Sequence, residues 1–182
     1  MKLLLVLIMI AATSVYASYI DKRFDNIERQ QSDSTCGIAS LSVIMNKFYN
    51  INKTEFELFK HLTIKPEYSF NDLSTIAKAY NLGTLGIKLS ITQLSNIRKP
   101  AILHLNRLGV SHFVVLNKVT SGYVQVSDPA WGNLNYTHAQ FKKYWIKDDG
   151  LGRALIFLTP IKNTIEQPEI YKKIINADAN NL

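Results

Sequence analysis

The chain reads as an α+β domain, a helical half followed by a half of mostly antiparallel strands, on three observations. Apolar residues recur at helical spacing between residues 36 and 80, short β-rich runs follow from Ala101, and Ser121-Gly122 separates two of those runs as a hairpin turn would. Residues 18–31 form a polar, extended lead-in. Thr35 is placed as the N-cap of a helix over Cys36–Tyr49, where Ile38, Leu41, Ile44, Met45 and Phe48 make one apolar stripe. A second helix is expected from Thr54, with Glu57 three residues on, to His61. A third runs from Asn71 or Asp72 to Tyr80, closed by Asn81 and Gly83. A short one spans Thr92–Ile97 before Pro100. Strands are expected at Ala101–Leu105, His112–Val119, Tyr123–Ser127 and Ala154–Leu158, with a short helix at His138–Tyr144. No internal repeat is visible.

Composition narrows the classes. The 182 residues suit one domain with its own core, and 13 Gly plus Pro are too few for a collagen-like or low-complexity chain. A mean hydropathy of -0.02 with 10% aromatic residues argues against disorder. The single cysteine makes no internal disulfide and builds no thiolate-rich metal site, and no metal or organic cofactor is implied. Net charge is +7, spread without a block of five like charges, and there is no nucleic-acid motif.

The N-terminus carries a functional signal. Met1-Lys2 precedes the apolar run Leu3–Ala12, and Val15 and Ala17 occupy the positions before a cleavage point. Residues 1–17 are therefore read as a signal peptide and 18–161 as the domain, with 162–182 a polar, weakly periodic tail. Export to the periplasm or the exterior follows; if uncleaved, residues 3–17 would anchor the chain to a membrane. With Lys2 removed, 20 basic residues face 14 acidic ones.

In an exported chain a lone cysteine is either a buried inert side chain or a reactive thiol. Cys36 stands at the first turn of a helix, where unpaired amides and the macrodipole favour thiolate over thiol and offer donors to an oxyanion. Gly37 would let a substrate backbone approach closely. A thiolate nucleophile needs a base and an orienting group. Of the four histidines, His61 ends a helix beside Lys60, His104 alternates within a strand, and His138 starts a helix at the surface. His112 opens an apolar strand after a glycine-containing loop, and the hairpin folds Asp128 back towards it. Asp128 before Pro129 is either a turn initiator or the group that orients the His112 imidazole.

The segment Gln30–Leu41 (QQSDSTCGIASL) resembles the cysteine motif of the bacteriocin-processing, double-glycine-leader peptidases, which are papain-like cysteine peptidases. Pro100–Leu105, His112–Leu116 and Asp128–Gly132 resemble later blocks of that family in the same order, and Phe141–Trp145 with Gly152–Leu155 its closing segment. The resemblance covers about residues 27–159. It implies a papain-like fold, with Cys36 as nucleophile, His112 as general base, Asp128 as orienting acid and Gln30 as oxyanion-hole glutamine. Gln31 is the adjacent competitor for that last role. No Walker-type GxxxxGK[ST] occurs, and no ATP-binding domain is seen. The resemblance is thus to a stand-alone, exported form, with a peptide or protein substrate and an export or assembly partner at the membrane or envelope. The expected activity is hydrolysis of peptide bonds. Acyl transfer or transpeptidation by the same triad, and a non-catalytic peptide-binding module, are the alternatives.

Overall fold

The computed structural model describes residues 19–159 apart from 61, 62, 64 and 108. The expected signal segment, the tail and His61 lie outside the described residues. A 3-10 turn, Asp33–Thr35, leads into helix α1 (Cys36–Tyr49), followed by α2 (Glu55–Phe59) and α3 (Phe70–Ala79). Then come strand β1 (Thr84–Leu89), α4 (Ile91–Ser95), β2 (Ala101–Arg107), β3 (Val110–Val119) and β4 (Tyr123–Asp128). Strand β5 (Gly132–Thr137), α5 (His138–Trp145) and β6 (Gly152–Phe157) close the described chain. The sheet order is β1-β6-β2-β3-β4-β5, with every neighbouring pair antiparallel.

The helices begin where their sequences supply oxygen atoms for orphan amides. Thr54 with Glu57, Ser69 with Asp72, Ser90 with Gln93 and Thr137 with Gln140 each form a reciprocal capping box. Thr35 does not cap α1 as expected. Ser32 caps the 3-10 turn instead, and the Thr35 hydroxyl is spent on Ser32, accepting its amide at 3.1 Å and donating to its carbonyl at 2.8 Å. The lead-in is also not extended throughout. Residues 19–23 are helical, and the Phe24 amide donates to the Ile20 carbonyl at 3.0 Å. The Arg23 side chain then ties this turn to the Trp131 carbonyl.

Helix α1 is buried on all sides except at Asn46 and Lys47, and it ends at Asn50, whose φ of 53° is left-handed. The sheet separates two apolar clusters. Ile102, Phe113, Val115, Leu155 and Phe157 pack with α1 and α3 on one face. Leu103, Leu105, Val114, Val126, Ala154 and Ile156 pack with Phe141 and Trp145 of α5 on the other. Central strands covered on both faces read as continuous apolar runs, as those of β2, β3 and β6 do. Strands β1 and β5, at the two edges, lack such runs and fall outside the expected elements.

The approach of α5 to β6 leaves no room for a side chain at Gly152. A Cβ there would overlap the indole of Trp145, itself fully buried and donating to the Arg153 carbonyl at 2.9 Å. Gly152→Ala is expected to lower stability by about 2–3 kcal/mol through overpacking, read as a fall in the urea midpoint at unchanged slope.

Candidate active site

Two contacts fix the start of α1 against β3. The missing side chain of Gly37 admits Phe113, whose ring would lie 3.1 Å from a Cβ at that position, with Leu73 at 3.4 Å. One turn on, the Ser40 hydroxyl donates to the Phe113 carbonyl at 3.2 Å. Gly37 therefore serves the packing of helix on strand, which replaces the expectation that it leaves space for a substrate backbone. Since Phe113 follows His112, this packing brings the Cys36 thiol to the His112 ring. Cys36 is buried, with 5% of its surface exposed.

His112 Nε2 and Asp128 Oδ1 are 2.9 Å apart. With Nε2 so engaged, Nδ1 is the ring nitrogen available to the nearby Cys36 thiol. Burial alone would lower the pKa of His112. The hydrogen bonds and charges of Asp128 and Cys36 outweigh it and raise the pKa from 6.5 to about 9, so the ring favours imidazolium at neutral pH.

Asp128 is fully buried, and both of its oxygens have partners. Oδ1 also accepts the amides of Ala130 at 2.8 Å and Trp131 at 3.1 Å, and Oδ2 faces Arg107 Nη1 at 3.2 Å. The two sequence readings of this residue are thus compatible, because the carboxylate that makes the turn also holds the histidine. Arg107 is a residue the sequence reading missed. Its other nitrogen donates to the Tyr136 hydroxyl at 2.7 Å, and its guanidinium lies 5.6 Å from the Trp131 ring centre. A signal existed in the sequence: a basic residue in the short loop expected between Leu105 and His112, which the structure instead makes the end of β2 and the start of β3.

The two glutamines separate clearly. The Gln30 amide donates to the Pro129 carbonyl at 3.1 Å, which places that residue beside the Asp128 turn. Its side-chain nitrogen donates to the Ser32 carbonyl at 3.0 Å, and its Oε1 is buried without a hydrogen-bond partner among the described residues. Gln31 is exposed, with its side chain reaching the Arg29 carbonyl at 3.5 Å.

The other described histidines are engaged elsewhere. His104 Nε2 lies 2.5 Å from Ser111 Oγ, and burial, with Lys147 the largest charge against it, lowers its pKa to about 4. It helps line an open cavity of about 350 Å³ with Tyr68, Phe70, Ser111, Phe113 and Arg153. His138 is half-buried rather than a free surface residue, and its Nε2 meets the Thr120 carbonyl at 2.7 Å. Among the described residues no group of three or more His, Cys, Asp or Glu is arranged to hold a metal ion.

Comparison with known proteins agrees with this architecture. The chain is 29% identical over 154 residues to the probable functional amyloid protease FapD of Pseudomonas aeruginosa, covering 77% of this chain and 68% of the relative. Its fold is shared with the peptidase domain of Streptococcus ComA, a bifunctional ABC transporter involved in a quorum-sensing pathway. That likeness has a TM-score of 0.64 at 20% identity, covering 74% of this chain and 97% of that domain. A double glycine motif protease from an AMS/PCAT transporter, solved with its leader peptide, superposes with a TM-score of 0.58 at 24% identity, covering 72% and 89%. Residues 25–148 match the Peptidase C39 family, and across that span the chain belongs to this family and is a cysteine-type peptidase.

Proposed function

We propose that this peptidase is exported and cleaves peptide bonds through a triad of Cys36, His112 and Asp128, with Gln30 and the Cys36 backbone N–H as oxyanion donors. One observation carries the reading: a single buried imidazole has a carboxylate 2.9 Å from Nε2 and the chain's lone thiol close enough to raise the pKa of the ring. The sulfur of Cys36, its proton held by His112, attacks the substrate carbonyl carbon, and the carbonyl electron pair moves onto oxygen. Amide donors receive that oxyanion. As the tetrahedral adduct collapses, the C–N bond breaks, His112 gives its proton to the leaving amine, and a thioester remains. Water, deprotonated by His112, then attacks the thioester, releasing the carboxylate product and the thiol.

The substrate is an extended peptide or a protein segment. The leader peptide held by the AMS/PCAT protease supports the first, and the name of the Pseudomonas aeruginosa relative supports a protein of an amyloid-type assembly. Export rests on the signal-like residues 1–17, with a mature domain from Ser18 to residue 161 and the tail beyond it. Among the described residues no helix is long and apolar enough to cross a membrane.

Three tests follow from the site. Cys36→Ala and His112→Ala should each abolish cleavage of a random peptide pool analysed by mass spectrometry, with the melting temperature preserved. Full cleavage by Cys36→Ala would sink the mechanism, and ligated rather than hydrolysed products would redirect it to transpeptidation. Arg107→Met removes one charged hydrogen bond from Asp128 while the two backbone amides remain, so kcat/KM should fall about tenfold. A change below twofold would show that the amides alone suffice.

The third test is pH dependence. The folded-state pKa of His112 lies above the unfolded value of about 6.5. Its stabilising contribution is therefore complete below about pH 6.5 and lost as pH rises through about 9. Activity should fall on an alkaline limb centred near 9, and the loss of melting temperature over the same window should shrink in His112→Gln.

A further inference from the structure

Glu55 is a fully buried carboxyl group that the proposed reaction does not use. It opens α2, yet its contacts run to the segment that enters the site. Its Oε2 accepts the Gln31 amide at 3.1 Å, and its own amide donates to Glu28 Oε1 at 3.2 Å. The Glu55 side chain thus holds residue 31 and its backbone amide holds the Glu28 side chain, with Gln30 between the two contacts. Gln30 itself donates its backbone amide to the Pro129 carbonyl. Thr35, directly before Cys36, lies near enough to the Glu55 carboxyl group to lower its pKa, while its hydroxyl hydrogen goes to the Ser32 carbonyl. The second oxygen, Oε1, has no partner among the described residues.

A fully buried acidic group with a spare oxygen and a second acidic side chain, Glu28, nearby is an expensive way to anchor a short helix. Burial, and then the Glu28 charge, push its pKa up, while Thr35 and the Gln31 amide pull it down. Thr54 and Glu57 already cap that helix. The cost is rational if what must be fixed is the loop.

We infer that Glu55 is a positioning residue, whose buried carboxylate clamps the loop carrying Gln30 so that the glutamine amide is held ready for the oxyanion. This rests on the proposed roles of Cys36 and Gln30. Misplacing an oxyanion donor weakens the transition state more than the bound substrate. It also leaves untouched any reaction of the thiol that builds no oxyanion. Iodoacetamide is such a probe, since the sulfur displaces iodide from a methylene carbon.

The experiment compares wild type with Glu55→Leu, Glu55→Asp and Glu55→Gln, using the best-cleaved peptide from the pool and, in parallel, the rate of Cys36 alkylation. Glu55→Leu should lower kcat by about 10- to 100-fold while KM and the alkylation rate each stay within about twofold. Glu55→Gln, which keeps an acceptor for the Gln31 amide, should recover most of kcat. Glu55→Asp, which withdraws the oxygens by one methylene, should show the same kcat-selective loss in milder form and serves where the leucine variant does not fold. Unchanged kcat in Glu55→Leu, or parallel loss of kcat and alkylation in both Leu and Asp variants, would overturn the inference while leaving the peptidase reading intact. A wild-type protein that neither cleaves the pool nor alkylates selectively at Cys36 would instead remove the reading on which it rests.

Discussion

The geometry of the site depends on how closely one helix can approach one strand. Helix α1 carries the thiol and β3 carries the imidazole, and nothing in the local sequence of either element forces them together. The approach is set where Gly37 meets Phe113 and where the Ser40 hydroxyl reaches the Phe113 carbonyl. A side chain at position 37 would crowd a phenylalanine ring that also packs on Phe70 and His104 and has little room to give way. Because α1 is buried on nearly every side, it cannot shift to relieve such a clash without disturbing the cluster behind it. The helix is a rigid mount, and the position of Cys36 relative to the sheet follows from core packing rather than from a flexible loop.

Asp128 shows how a turn and a charge can share one side chain. An aspartate before proline is expected to hydrogen-bond the amides that follow it, and it does so with Ala130 and Trp131. Those bonds orient the same oxygen that meets His112, so the turn sets the direction of the carboxylate before any charge is considered. Arg107 then holds the other oxygen from the end of β2. Two backbone amides, a guanidinium and an imidazole leave a fully buried carboxylate well satisfied, which a lone buried charge would not be.

Much of this arrangement is legible in the amino-acid sequence. The extent of α1, the hairpin between β3 and β4, and the meeting of His112 with Asp128 follow from apolar period, turn residues and strand length. Strands β2, β3 and β6 stand out because both their faces are covered. Strands β1 and β5 do not, although Leu85, Ile87 and Leu89 in one and Leu134 and Tyr136 in the other alternate with period 2. The insertion of β6 between β1 and β2 is a long-range pairing that no local pattern encodes. The different surroundings of Gln30 and Gln31, the Pro129 carbonyl among them, are also beyond local pattern, since adjacent residues of one type carry the same local information. Arg107 and Glu55 escape notice for a related reason. A charged residue reads as surface until its partners, here 21 and 24 residues away, are placed beside it.

Two histidines on neighbouring strands show what decides the chemistry. His104 and His112 are both substantially buried, and in both burial is the largest influence and acts to discharge the ring. His104 meets a serine hydroxyl, and burial with the charge of Lys147 outweighs the opposing Glu67, so its pKa falls to about 4 and it stays neutral across the physiological range. His112 meets a carboxylate and a thiol, and its pKa rises to about 9. Burial therefore does not distinguish a charged imidazole from a neutral one, and neither does membership of a strand. What distinguishes them is whether the fold delivers an anionic partner at hydrogen-bond distance. Here that delivery is made by a turn whose own amides have already aimed the carboxylate, which is why the charge sits on the histidine facing the thiol and not on the one facing the serine.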